Sequence, residues 1–131
     1  MDAANRQLVW DRAGSRCEYC HLPQAAIDLT FHLEHIIAKQ HGGDDSLDNI
    51  GLSCDRCNHL KGPNLSSIDS LTREVVTLFH PRQQSWDDHF ELRGIDIIGK
   101  TPAGRATVEL LKLNASRRRE LRAQLLAAGE F

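Results

Sequence analysis

The four cysteines of the chain come as two C-x-x-C pairs, Cys17 with Cys20 and Cys54 with Cys57. One such pair presents two thiolates on a tight turn. Two pairs close a tetrahedral four-sulfur site with no open coordination position, the arrangement of structural zinc. A site of that kind staples a chain and does not catalyse. Between the pairs lies Glu34-His35, a carboxylate beside an imidazole, and the second pair runs directly into Asn58-His59-Leu60-Lys61. Oxygen ligands next to an imidazole that titrates near neutrality are the parts of a second, chemically active metal site. A thioredoxin-like redox centre would use one C-x-x-C in a βαβ context, whereas here two pairs account for every cysteine. Disulfides would require an oxidising compartment, yet residues 1–11 are polar and hold no apolar signal region. The expectation is reduced thiols, bound zinc and a cytoplasmic location.

These residues must be positioned by a small scaffold. At 131 residues and 40% hydrophobic, the chain can build one modest core, so a metal staple matters for stability. No apolar run approaches the ~20 residues of a membrane span. The formal net charge of -2 argues against a protein that coats nucleic acid indiscriminately. Charge is nevertheless uneven. Residues 100–122 hold seven basic side chains against Glu109 and Glu120, a local excess of five, while Glu34, Asp44, Asp45, Asp48 and Asp55 gather in the centre. A basic end beside an acidic, metal-holding centre suits a polyanion gripped at one place and processed at another.

The patterning predicts an α+β fold. A short helix over residues 4–13 delivers the chain to the first cysteine pair, and residues 29–34 alternate as a strand. Residues 38–48 read as a polar loop around Gly42-Gly43, and residues 49–53 return as a second strand. A helix over residues 55–61 ends at Gly62-Pro63. Further on, residues 74–79 read as a strand, and residues 90–98 as a hairpin turning at Arg93-Gly94. A helix over residues 102–113 is capped by Thr101-Pro102 and broken by Asn114. A last helix over residues 116–128 sets Leu121, Leu125 and Leu126 on one face. Its opening Arg117-Arg118-Arg119 places cations at the positive end of the helix dipole, a misfit that an anion would relieve. Residues 1–66 form the expected core. Residues 67–131 form a C-terminal extension, hairpin and basic helices, packed on the same domain.

Taken together, Cys-x-x-Cys, Glu34-His35-Ile36, Gly42-Gly43, Leu47-Asp48-Asn49, Cys54-x-x-Cys57-Asn58 and Lys61-Gly62 resemble the HNH endonuclease family. The likeness is to its ββα-metal fold in the four-cysteine, zinc-stapled branch of small bacterial and phage nucleases, and it covers about residues 12–65. Phe79-His80-Pro81-Arg82, Trp86, His89-Phe90 and Gly104-Arg105-Ala106 resemble the C-terminal extension of one bacterial subset. The resemblance implies a DNA endonuclease or nickase in which His35 is the general base, Glu34 and Asn58 hold Mg2+ or Mn2+, and Asn49 braces the loop that aims the histidine. It implies double-stranded DNA as partner and no membrane; a monomer with one site would nick, and a homodimer could cut both strands.

Two points of geometry accompany that reading. Neighbours in a regular strand face opposite ways, so β-structure must end or twist at Glu34-His35 if both are to serve one site. Adjacent helical residues diverge by about 100°, so only one of Asn58 and His59 can face the metal, and Asn58 is preferred. Lys61, His41, Arg117, Arg118 and Arg119 are the expected nucleic-acid contacts. The alternative is a zinc-stapled module that binds nucleic acid without cutting it.

Overall fold

Strand β1 (His32–His35) pairs antiparallel with β2 (Ile50–Ser53), with Glu34 opposite Gly51 and His35 opposite Ile50. The computed structural model describes residues 1–131, which divide into two compact units, Met1–Pro63 and Asn64–Phe131. The expected strand over residues 29–34 begins late. The Gln24 side chain accepts from Phe31 N and donates to the carbonyls of Ile27 and Leu29, which occupies the backbone groups a longer strand would need. All of β2 is buried. Helix α1 (Ala3–Arg12) packs against it, and Glu18 from the first cysteine turn accepts from Leu52 N at 2.8 Å. Helix α1 is capped by Asp2, stacks Trp10 on Phe31, and reaches from Arg12 to the carbonyls of Leu47 and Ile50.

Helix α2 (Asp55–Lys61) has the bounds the sequence predicts and packs on β1, completing a ββα unit. The four cysteine sulfurs lie within 4.8 Å of one another and are all buried. Cys20 Sγ and Cys54 Sγ are 3.8 Å apart, too far for a disulfide. That spacing matches the edge, about 3.8 Å, of a sulfur tetrahedron drawn ~2.3 Å around an ion. Burial pushes the Cys17 and Cys57 thiols up. Four buried thiolates can coexist only around a cation, and the four sulfurs are positioned to form a structural metal site.

In the C-terminal unit, β3 (Ser66–Ile68) pairs with β4 (Val75–Thr77), and β5 (Phe90–Arg93) with β6 (Asp96–Gly99); the one-turn helix α3 (Trp86–His89) precedes β5. Strand β3 is absent from the sequence reading because Ser66-Ser67-Ile68 carries almost no apolar signal. The unit begins slightly before the expected boundary, since Leu65 already accepts from Leu78 N. Both ribbons pack on α4 (Pro102–Leu110). Close approach is obtained with glycine: a Cβ on Gly104 would lie 2.1 Å from His89 O. Helix α4 stops short of residue 113 because Lys112 turns to φ 48°.

Helix α5 (Ser116–Ala127) departs most from expectation. Its buried face is Arg118, Arg122 and Leu125, and Arg122 is 0% exposed, donating to the carbonyls of Ile95 and Leu113. The basic run is therefore largely architectural. The anion that relieves its dipole misfit is internal: Arg119 Nε donates to Asp96 at 2.6 Å. No helix of the chain is long and apolar enough to cross a membrane.

Asp69 is fully buried and accepts from Arg105 Nε at 2.8 Å and its terminal nitrogen at 3.0 Å, and also from Leu71 N and Thr72 Oγ1. The Arg105 guanidinium holds this carboxyl far below the usual carboxylate range. A depressed folded-state pKa gives stability that is present above the ordinary carboxylate range and is lost as pH falls toward the folded value. Thermal unfolding followed by Trp86 fluorescence in a Trp10→Phe background should lose midpoint steeply on acidification. Asp69→Asn should start lower and show a flatter acid limb; parallel acid limbs would contradict the assignment. For the sulfur site, elemental analysis should find one tightly held ion per chain, and stripping it should unfold the N-terminal unit. A folded sample with almost no metal would contradict it.

Candidate active site

The connection from β1 to β2, residues 36–49, would be a floppy polar loop were it not fastened at its base. Ile36 N donates to Asn49 O, and Ile37 N donates to Asn49 Oδ1 at 2.9 Å. Asn49 Nδ2 donates both to Ile37 O at 3.0 Å and to Asp44 O at 2.9 Å. The amide thus uses its oxygen and both of its protons on the loop backbone, and Asn49 is only 7% exposed. Losing a partner for each backbone group left dry costs on the order of 1–3 kcal/mol. Gly43 fits the same clamp, since a Cβ there would lie 1.7 Å from Ile37 O. Beyond it, Ser46 N and Oγ both donate to Asp44 Oδ1, turning the chain so that Asp45 faces the end of β1.

His35 Nε2 lies 2.7 Å from Asp45 Oδ1, and Lys39 Nζ lies 3.3 Å from the same oxygen. Those two partners hold the Asp45 carboxyl below its ordinary value. An ionised carboxylate only accepts, so neutral His35 carries its proton on Nε2 and leaves Nδ1 as a proton acceptor. The imidazole is 31% exposed and lines an open cleft of about 380 Å³ with Asn5, Arg6, Leu33, Lys39, Leu47 and Ile50 among its walls. A base oriented by a carboxylate beside accessible cations can deprotonate water near a bound anion.

The other expected residues are placed differently. Glu34 and His35 leave opposite faces of β1, as strand alternation requires, and the cleft holding His35 contains neither Glu34 nor Asn58. The strand ends at His35 without twisting the two side chains into one pocket. Glu34 is buried beneath α2, where Lys61 Nζ lies 3.8 Å from Oε2 and Oε1 is buried without a hydrogen bond. Burial pushes the Glu34 carboxyl up, while the Lys61 ammonium and the nearby Tyr19 hydroxyl pull it down. Asn58 is half-buried on the same helix.

Lys61 is corrected. With 3% of its side chain exposed, it donates to Ile36 O at 2.7 Å, so it anchors the loop's first residue and does not meet a phosphate. Arg118 is buried and Arg119 is paired with Asp96, which leaves Arg117 as the exposed member of that trio. His41 is exposed in the turn Lys39–His41. His32 pairs with Asp55 at 2.9 Å. Sequence reasoning did not bring Asp45, Lys39 and Arg6 to the His35 cleft, because a charged residue in a polar loop or on an exposed helix looks the same whether or not it lines a cleft.

Among known families, the model of the HNH endonuclease matches residues 17–64. Comparison with curated proteins and with solved structures gave no match. The matched stretch begins at the first cysteine, ends just past α2, and encloses the sulfur site, β1, β2 and the Asn49 clamp. Residues 17–64 of the chain therefore match an HNH endonuclease domain.

Proposed function

We propose that the protein is a metal-dependent DNA endonuclease or nickase that hydrolyses phosphodiester bonds with His35 as general base. The observation that carries this reading is the 2.7 Å contact of His35 Nε2 with Asp45 in an open cleft. His35 Nδ1 takes a proton from water as the water oxygen bonds to phosphorus. The bond from phosphorus to the 3′ oxygen breaks and that oxygen takes a proton from solvent water, giving the 5′-phosphate and 3′-hydroxyl ends that the family resemblance implies. Asp45 is a positioning residue that stabilises the imidazolium as it forms.

Zn2+ is the proposed occupant of the four-sulfur site, by its ligand set. For the catalytic ion, the unpartnered Oε1 of Glu34 and the amide oxygen of Asn58 are hard donors, and Asn58 makes no side-chain hydrogen bond within the protein. They suit Mg2+ or Mn2+ and would hold it. Such an ion would supply positive charge to a phosphate, but on the face of β1 opposite His35, so the proton transfer at His35 does not run through it. The substrate is double-stranded DNA, met in a reducing, cytoplasmic setting; a monomer would nick and a homodimer could cut both strands.

A second reading has an observation of its own. Glu34 is buried against Lys61 on the face of β1 opposite His35, which suits a stapled module that binds nucleic acid without cutting. Plasmid cleavage decides between the two. With Mg2+ or Mn2+, supercoiled DNA should become open-circular, EDTA should stop the reaction, and His35→Ala should lower the rate by about 10²–10⁴-fold. Asp45→Asn should lower it less. Binding without cleavage would favour the second reading, and cleavage surviving both chelation and His35→Ala would remove the first.

A further inference from the structure

We propose that Arg6, from helix α1, together with Lys39, grips a backbone phosphate of the DNA at the His35 cleft, so that α1 is part of the substrate-binding surface although it lies outside the matched domain. The inference rests on the nuclease reading and extends it to the residues that hold the substrate.

Arg6 and Lys39 line the same cleft as His35, and Asp45 is the one carboxylate among its walls. With His35 neutral, the cationic side chains outnumber the anionic one, which suits a singly charged phosphodiester. The Arg6 guanidinium makes only a long 3.4 Å contact, from Nε to Met1 O. Its forked donors are therefore available for phosphate oxygens. Lys39 shares Asp45 with His35 at 3.3 Å, which sets a cation one side chain away from the base.

The position of Arg6 is not left to chance. Further along α1, Val9 is fully buried, Trp10 stacks on Phe31 with ring centroids 6.1 Å apart, and Arg12 ties the helix to Leu47 and Ile50, which also line the cleft. The helix is thus fastened to the walls it would help to form. Leu33, Leu47 and Ile50 add an apolar floor that offers no donors or acceptors to base edges. A grip of this kind positions DNA without reading sequence.

The test measures binding of a short duplex to full-length protein in the His35→Ala background, where cleavage does not interfere, across a salt series. Adding Arg6→Gln should weaken binding on the order of tenfold and reduce the salt slope by about one, equally for duplexes of unrelated sequence. The melting midpoint should not change, since Arg6 makes so little contact within the protein. Lys39→Gln should act in the same direction. Affinity and slope unchanged by Arg6→Gln would overturn the inference while leaving the nuclease reading standing. A parent protein with no affinity for DNA at low salt would overturn both, whereas active cleavage by His35→Ala would overturn His35 as the base and leave the grip standing where Arg6→Gln still weakens binding.

Discussion

Everything at the His35 cleft depends on one side-chain amide. A fourteen-residue connection between two four-residue strands has many backbone groups and few partners for them, and its conformational freedom opposes any fixed geometry. The Asn49 side chain spends three hydrogen bonds on that connection, one accepted and two donated, joining Ile37 to Asp44. Lys61 adds a second anchor at Ile36 O from beneath. Between these anchors, Asp45 is delivered to His35. The imidazole is thereby oriented by a residue ten positions away in sequence, on a segment with no regular structure of its own beyond two short turns.

The sulfur site does the same for the larger frame. A unit of 63 residues is close to the size at which a hydrophobic core alone is marginal. Tying the turn at Cys17 and Cys20 to the entry of α2 fixes the helix against β1, where Lys61 and Glu34 meet. A buried ion pair is weak evidence for stability, since desolvation offsets attraction. Its value here is positional: Lys61 holds α2, β1 and the start of the loop together through Glu34 and Ile36 O.

Much of this frame is legible in the sequence. The cysteine spacing and the bounds of α2 follow from motif spacing and turn chemistry, because those signals are local, and Asn49 as a brace is what the family resemblance implies. What fails to show is long-range. Lys61 looks like a surface lysine one turn past the last cysteine, and only the fold reveals that its ammonium is buried. Arg118 and Arg122 look like a basic grip, yet carbonyls at the ends of neighbouring elements claim Arg122. The separation of Glu34 from His35 follows from strand alternation, and the strand keeps it to its last residue. Asp45 could not be distinguished from Asp44 or Asp48 by spacing, since its role depends on a loop path set by hydrogen bonds elsewhere.

The central claim is that the Asn49 amide holds the loop rigid and so keeps Asp45 on His35. Backbone 15N order parameters across residues 38–48, measured in the wild type and in Asn49→Ala, test it most directly. The account predicts values near 0.85 in the wild type and below about 0.6 in the variant, with the contact between the His35 ring and Asp45 lost. A loop that stays equally rigid without the amide, and keeps Asp45 against His35, would contradict it.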